Sequence, residues 1–344
     1  MNSTRKTLFW LITLLLVAGG FYVLDQQVAE QDRITEENLR LFHFTPDDVE
    51  EFWIAGKEDG LRVKVHRRDG EWWLKFPIVA RGDDSKIDSL LTNVVVSRKD
   101  RTLFEEADAG KMQELGLDTP SIEMTFITSG VTEHASGTPT SNDAVNTAVV
   151  ERSPSKVETT IFFGDSGPTN NVAYAMLSKD SRVFRIHSDV RTEADRSVYD
   201  LRDKSLLSFD PLKLLTVDIT RRDLPHLVIE HDNGRWNMLE PSVARASQQN
   251  VLEGLFMIKD DEIKAFLGGD LENKQAYGLD APRIRISIKD QQRDEPYVLI
   301  IGDKDRSRRG YFALTNRSEE VLVVTEDLVN YLLSIKDSWQ EIPS

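Results

Sequence analysis

The chain has 344 residues, with 43 Lys+Arg against 58 Asp+Glu and a formal net charge of −15 at pH 7. That length favours about two domains, and 40% hydrophobic with 29% charged residues describes a globular body rather than a disordered chain. The acidity argues against nucleic-acid binding, which depends on Lys and Arg neutralising phosphates, and zero Cys excludes disulfides, thiolate nucleophiles, Cys-ligated zinc and iron–sulfur clusters.

In chain order, the first signal is an apolar run. From Leu8 to Leu24 every residue is apolar or small except Thr13 and Tyr22. Seventeen residues of helix span about 26 Å, near the lower end of a membrane crossing. Arg5 and Lys6 precede the run, and Asp25, Glu30 and Asp32 follow it. The positive-inside rule then predicts a cytoplasmic segment 1–7, a transmembrane anchor 8–24 and an exported body. A cleaved signal peptide is the rival, with Val17-Ala18-Gly19 as a small-residue site. Phe21 to Leu24 carry the apolar run past that point, which favours the anchor. Residues 25–40 are polar and free of Gly and Pro, and read as a helical stalk.

The remainder is one unit written twice. Leu41-Phe42-His43-Phe44-Thr45-Pro46 matches Leu206-Leu207-Ser208-Phe209-Asp210-Pro211, and Asp69-Gly70-Glu71-Trp72 matches Asn233-Gly234-Arg235-Trp236. Pro77-Ile78-Val79-Ala80-Arg81 matches Pro241-Ser242-Val243-Ala244-Arg245. Leu115-Gly116-Leu117-Asp118-Thr119-Pro120 matches Tyr277-Gly278-Leu279-Asp280-Ala281-Pro282, and Phe163-Gly164-Asp165 matches Ile301-Gly302-Asp303. The order is kept throughout, which gives a first repeat domain 41–205 and a second 206–344. A shortened spacing before the last match places an insertion at 129–156 in the first copy. That stretch is rich in Ser, Thr, Ala, Gly and Pro and has no aromatic residue, and it is expected to be a flexible surface loop.

Periodicity assigns the elements within each copy. Val63 and Val65 alternate with polar neighbours, as do Leu227 and Ile229, and an Asp-Gly or Asn-Gly turn then leads into the Trp strand. Ile87, Leu90, Leu91, Val94 and Val95 recur at helical spacing after Asp83-Asp84-Ser85. Gly116 and Gly278 sit where short helices would end. Ile122, Met124 and Phe126 alternate as a strand, mirrored by Ile284, Ile286 and Ile288. Strands at Thr160–Phe163, Val172–Met176 and Val183–Ile186 are mirrored by Val298–Ile301, Tyr311–Leu314 and Val321–Val324. Thr325 is placed to cap a last helix bearing Leu328, Tyr331, Leu332 and Ile335. The expectation is an α+β fold: two tandem, mostly antiparallel sheet-plus-helix units behind one transmembrane helix.

A duplicated unit with a Trp strand ending in Pro, a Gly-Leu-Asp-x-Pro box, an apolar-Gly-Asp turn and an N-terminal anchor resembles the bacterial domain-of-unknown-function family 4340. The resemblance covers nearly everything after Leu41 in both copies. Members of that family are typically encoded beside ABC-type transporter components related to the gliding-motility system. The resemblance therefore implies an accessory role at an exporter-like complex of the bacterial inner membrane, with the body on the periplasmic side. The family has no established catalytic residues, so none carries over. The insertion in the first copy departs from the shared pattern.

Candidate sites are few. Gly164-Asp165-Ser166-Gly167-Pro168 is reminiscent of a serine-protease nucleophile segment, but the second copy reads Gly302-Asp303-Lys304-Asp305, so Gly-Asp is the retained element, as a hairpin turn requires. Of six His, His226 and His231 fall on opposite faces of a strand, His66 and His43 have no His counterpart, and no metal or cofactor motif occurs. No catalytic, cofactor-binding or metal residue is assigned. Arg81 and Arg245 recur in the same loop before the same helix. They read either as an anion grip or, preferably, as internal salt bridges to Asp118 and Asp280, which recur as well. Trp72 and Trp236 read as core aromatics. The leading expectation is a single-pass, membrane-anchored binding or scaffold protein with protein partners in an ABC-type transport complex. A hydrolase using paired carboxylates on envelope polymer and a periplasmic ligand sensor are the rivals.

Overall fold

In the computed structural model the described residues are 36–56, 60–135, 150–169, 171–268, 271–335 and 339–341. The expected anchor at 8–24 and most of the stalk lie outside them; residues 36–39 are helical. Among the described residues no helix is long and apolar enough to cross a membrane. The chain divides into two compact units, with the boundary between Asp203 and Lys204.

The first unit runs β1 (Val49–Gly56), β2 (Gly60–Arg68), β3 (Glu71–Phe76), β4 (Ala80–Arg81), α1 (Asp84–Val95), β5 (Lys99–Phe104), α2 (Ala109–Glu114), β6 (Ile122–Ala135), β7 (Val150–Ser166), β8 (Val172–Leu177), β9 (Val183–His187), α3 (Ser188–Ala194) and α4 (Val198–Leu201). The second repeats the plan: β10 (Leu214–Arg221), β11 (Leu227–Asp232), β12 (Arg235–Glu240), β13 (Ala244–Arg245), α5 (Gln248–Asp260), β14 (Ala265–Phe266), β15 (Ile284–Asp290), β16 (Tyr297–Asp305), β17 (Gly310–Thr315), β18 (Leu322–Thr325) and α6 (Glu326–Ser334). Each unit holds one antiparallel nine-stranded sheet, in the order β4-β3-β2-β1-β6-β7-β8-β9-β5 and β13-β12-β11-β10-β15-β16-β17-β18-β14. The two units are therefore α+β copies of one topology.

Local chemistry explains the shared elements. The β2–β3 hairpin turns on Asp69 (φ 54°) and Gly70 (φ 85°), and β11–β12 on Asn233 (φ 49°) and Gly234 (φ 78°). Two consecutive left-handed residues are what a tight turn matched to strand twist requires. Asp83 caps α1 by accepting from the Lys86 amide at 3.1 Å, and Thr325 caps α6 through the Leu328 amide at 3.1 Å. Alternation then fixes the faces. Val63, Val65, Trp72, Leu74, Ile161 and Phe163 point to one side and pack with the buried stripe of α1. The opposite parity, including Phe162, Tyr174 and Met176, is covered by Leu115 and Leu117 of the Gly-Leu-Asp-x-Pro segment. Leu279, with Ile300 and Phe312, does the same in the second unit.

One expectation is corrected here. The insertion expected to be a loop from Ser129 to Lys156 is, at both its ends, a continuation of the β6–β7 ladder. Ser129 pairs with Lys156, and the register runs unbroken to Ala135 opposite Val150. Residues 136–149 lie outside the described residues. Compositional reasoning missed the arm because β-branched residues such as Val131, Thr132 and Val150 suit extended backbone once a ladder holds them in register.

Candidate functional site

Arg81 leaves the edge strand β4 and holds two carboxylates: Nη1 lies 2.7 Å from Glu71 Oε2, and Nη2 donates to Asp84 Oδ2 at 2.7 Å. Asp84 Oδ1 in turn accepts from the Trp72 amide at 2.7 Å. The guanidinium thus staples the start of β3 to the first turn of α1. The second unit does this differently. Glu71 is replaced by Arg235 and Asp84 by Gln248, and among the described residues Arg245 has no carboxylate partner. Gln248 takes over the junction: its Oε1 accepts from the Trp236 amide at 2.9 Å, and its Nε2 donates to the Trp236 and Ala246 carbonyls. The partners expected from sequence, Asp118 and Asp280, are not the ones used. Arg81 sits on the outermost strand, four strands from β6, which Asp118 precedes. At about 4.8 Å per strand that separation is roughly 19 Å, beyond any side-chain pair.

The other recurrent markers meet each other. Gly116 (φ 66°) and Gly278 (φ 68°) end the helical turns, and a Cβ there would lie 2.6 Å from Asp165 Cγ and 2.5 Å from Asp303 Cγ. A Cβ on Gly164 or Gly302 would stand 2.2 Å from the carbonyl oxygen of Leu115 or Tyr277. Gly-Asp is therefore not a hairpin turn, as the motif suggested. It is a slip of register inside a strand, between Phe163 and Ser166 in β7 and between Ile301 and Lys304 in β16. The slip brings the backbone against the Gly-Leu-Asp-x-Pro segment, and only glycine fits both sides of the contact. Pro120 is buried and Pro282 half-buried beside it, while Asp118 and Asp280 are exposed. These motifs build the fold.

A groove of about 520 Å³ lies elsewhere in the first unit, where residues 37–43 pass over the β7-β8-β9-β5 end of the sheet. Its volume is within the range of small-molecule sites, roughly 300–1,000 Å³. Arg40, Lys99, Lys179 and Arg182 bring four cations to it, against Glu37 and Asp180. Asp180 is fully engaged: Arg182 Nε lies 2.8 and 2.9 Å from its two oxygens and Nη2 at 2.6 Å, and the Arg182 amide donates at 3.0 Å. Those bonds, the Arg182 side chain foremost, hold the Asp180 carboxyl below its ordinary value. Lys99 has no carboxylate partner among the described residues, and its Nζ lies 5.0 Å from the centroid of the buried Phe184 ring. Burial first, then the Arg182 charge, push its ammonium below the ordinary lysine value. Ser178 Oγ accepts from the Thr160 amide at 3.4 Å and keeps its own proton to donate.

The matching place in the second unit is filled. Thr159, opposite Phe126 in the ladder, corresponds to Tyr297 opposite Ile288. Tyr297 is 9% exposed, and its ring centroid lies 6.0 Å from that of Phe209. Arg317, at the position of Lys179, hydrogen-bonds Ser208, which replaces His43. The positions of Arg40, Lys99 and Arg182 carry Ser205, Ile263 and Glu320. Sequence reasoning passed over this groove because it weighed residues that recur. The signal lay in residues that fail to recur.

Among the remaining titratable groups, His226 bridges Asp218 at 2.8 Å and Glu240 at 3.1 Å, and its pKa is raised, chiefly by the Asp218 bond. Asp261 accepts from Thr325 Oγ1 at 2.6 Å while its Oδ2 is buried without a partner; burial raises its pKa. No cluster of three or more His, Asp or Glu among the described residues is arranged to hold a metal.

Comparison with known protein families matches the chain to the family described as "Domain of unknown function (DUF4340)" over residues 72–282. The match opens on Trp72 in the first unit and closes on Pro282 in the second. No curated protein and no solved structure matches the chain.

Proposed function

The chain belongs to the DUF4340 family, and from that premise we propose that it is a membrane-anchored, extracytoplasmic binding module acting beside an ABC-type transport complex. The observation that carries this reading is the asymmetry of the two copies. One topology is kept twice, yet only the first copy combines a small Thr159 with a cluster of cations, where the second inserts Tyr297. A fold requirement acts on both copies alike, so a cation-lined groove that one copy opens and the other fills speaks for recognition by the first copy. The apolar run at Leu8–Leu24 supplies the anchor of this proposal, and the groove is lined by Glu37, Asn38 and Arg40 at the end of the stalk and by Leu41 and His43 at the start of the body. The recurrent motifs are used up in helix ends, strand slips and the Trp junction, which supports a role in binding rather than turnover.

Affinity purification of the full-length chain from gently solubilised membranes tests the reading. Transporter components are expected to be enriched with the native chain and depleted with Thr159→Tyr, which fills the groove. A native chain that runs as a clean monomer overturns it. Reporter fusions after Asp25 and after Ser344 should both report the exported side, and a cytoplasmic signal at either removes the membrane topology.

A further inference from the structure

We propose that the first-unit groove is an oxyanion site, receiving a phosphate or carboxylate group of its ligand on Lys99, with Arg40 and Lys179 at the rim. This inference deepens the binding-module reading and rests on it. The charge balance is the first argument. A chain of net charge −15 gathers four cations around one groove, and the half-buried acid there, Asp180, is already committed to Arg182. Both Lys99 Nζ, at 5.0 Å, and Arg182 Cζ, at 5.5 Å, lie within cation–π distance of the Phe184 ring. Arg182 is neutralised by Asp180, whereas the Asp180 and Glu105 charges act on Lys99 without a salt-bridge contact, so an anion bound beside Lys99 gains a charge-assisted partner.

The second argument is that the fold does not need them. The second unit builds the same sheet with Ile263, Ser205 and Glu320 in place of Lys99, Arg40 and Arg182. Pairing fixes this correspondence: the Arg40–Arg98 bridge matches Ser205–Glu262, and Arg101 opposite Arg185 matches Ala265 opposite Val323. The third argument is donor chemistry. Ser178 can donate its hydroxyl proton and Lys99 its three ammonium protons, while Arg182 turns Nε and Nη2 to Asp180. Donors from separate segments lining one groove suit the several acceptor oxygens of an oxyanion.

The test is isothermal titration of the full-length chain in detergent with pyrophosphate and with citrate, with a neutral disaccharide as control, alongside flotation with phosphatidylglycerol vesicles. Saturable binding of pyrophosphate or citrate, weakened by salt and reduced roughly tenfold or more by Lys99→Gln, is the expected result. Lys99→Arg should restore most of it, and Arg317→Gln, the second-unit control, should leave it unchanged. Binding seen only on phosphatidylglycerol vesicles, and lost with Lys99→Gln, assigns the oxyanion to a lipid headgroup. No saturable binding by any probe, or binding indifferent to Lys99→Gln in a variant with native thermal stability, overturns the proposal. If no anion binds while Thr159→Tyr still releases a co-purifying partner, the ligand chemistry is wrong and the binding module stands. Lys99-dependent anion binding by a chain with no partner in membranes has the opposite meaning.

Discussion

The two units share a topology strand for strand but fill their cores by different means. In the first, the sheet carries the bulk: Phe52, Phe126, Phe163 and Phe184 are fully buried, at positions that hold Val217, Ile288, Ile301 and Leu322 in the second. The second regains volume from the helical layer. Leu90 of α1 corresponds to Gly254 of α5, and Leu201 to Trp339, which is 0% exposed and donates from Nε1 to Tyr331 Oη at 3.1 Å. A Cβ on Gly254 would lie 2.7 Å from Trp339 Cζ2 and 2.0 Å from Tyr331 Oη. A glycine inside a helix costs about 1 kcal/mol against alanine, and here it is the space that admits an indole. Two neighbours have exchanged large and small while the backbone pairing stayed: the Asp83 amide donates to the Leu201 carbonyl, and the Ser247 amide to the Trp339 carbonyl. Close packing is satisfied by summed volume and shape rather than by residue identity. Duplicated units are therefore free to diverge in content, and to open a groove in one copy and close it in the other.

The strongest way to break this comparison is to give the second unit the residue of the first. Gly254→Leu drives a side chain into Trp339 and should cost about 4 kcal/mol, beyond ordinary overpacking. Adding Trp339→Leu, which recreates the Leu90–Leu201 pair, should recover part of that loss, because the Tyr331 hydroxyl also stands within reach of the new side chain. Urea unfolding with hydrogen exchange to locate the affected unit reads both, and additive penalties would show that the two positions are not compensating. Next in size is the groove exchange. Tyr297→Thr should cost the second unit about 2–3 kcal/mol through a cavity beside Phe209, whereas Thr159→Tyr, entering open space, should cost the first unit less than about 1 kcal/mol. Equal penalties would mean that the first-unit groove is filled by the protein itself.

A smaller effect is expected at Asp261, whose counterpart is Ser97. Burial raises the Asp261 pKa above 3.8, so its carboxylate destabilises the fold increasingly as pH rises through that raised value, and not below 3.8. Asp261→Asn should therefore stabilise the second unit by about 1 kcal/mol at neutral pH and by nothing at pH 3, as thermal melts at the two pH values would show. The smallest effect belongs to His226. Its raised pKa means that the Asp218 and Glu240 contacts stabilise the second unit fully below pH 6.5 and are lost as pH rises through the folded value. With the ring 40% exposed, the change should be roughly a few tenths of a kcal/mol. The first-unit counterpart, Arg62, pairs with Asp195 at 2.7 Å. His226→Arg should flatten the pH profile of the second unit above pH 6.5.

Much of the fold was legible without coordinates because it is written in short-range pattern. Alternation at Val63 and Val65, helical spacing from Ile87 to Val95, and left-handed turn residues at Asp69-Gly70 and Asn233-Gly234 each follow from backbone geometry over a few residues. Their repetition fixed the duplication. The edge strands β4, β5, β13 and β14 were not legible: Ala80–Arg81, Ala244–Arg245 and Ala265–Phe266 are too short for periodicity, and Lys99–Phe104 is largely polar. Of the candidate residues, Arg81 is ion-paired as expected in kind, but to Glu71 and Asp84 rather than Asp118.

What the amino-acid sequence determined by itself was the α+β class, the two copies and the family. Only the tertiary structure decided which groups meet: that Asp165 lies against Gly116, that Trp339 occupies the space left by Gly254, and that Lys99 and Arg182 flank a groove closed by Tyr297 in the other unit. The reason is physical. Backbone conformation follows from neighbours in the chain, whereas a side chain's partner depends on which strands lie adjacent and where the ladder slips, and those are properties of the whole sheet.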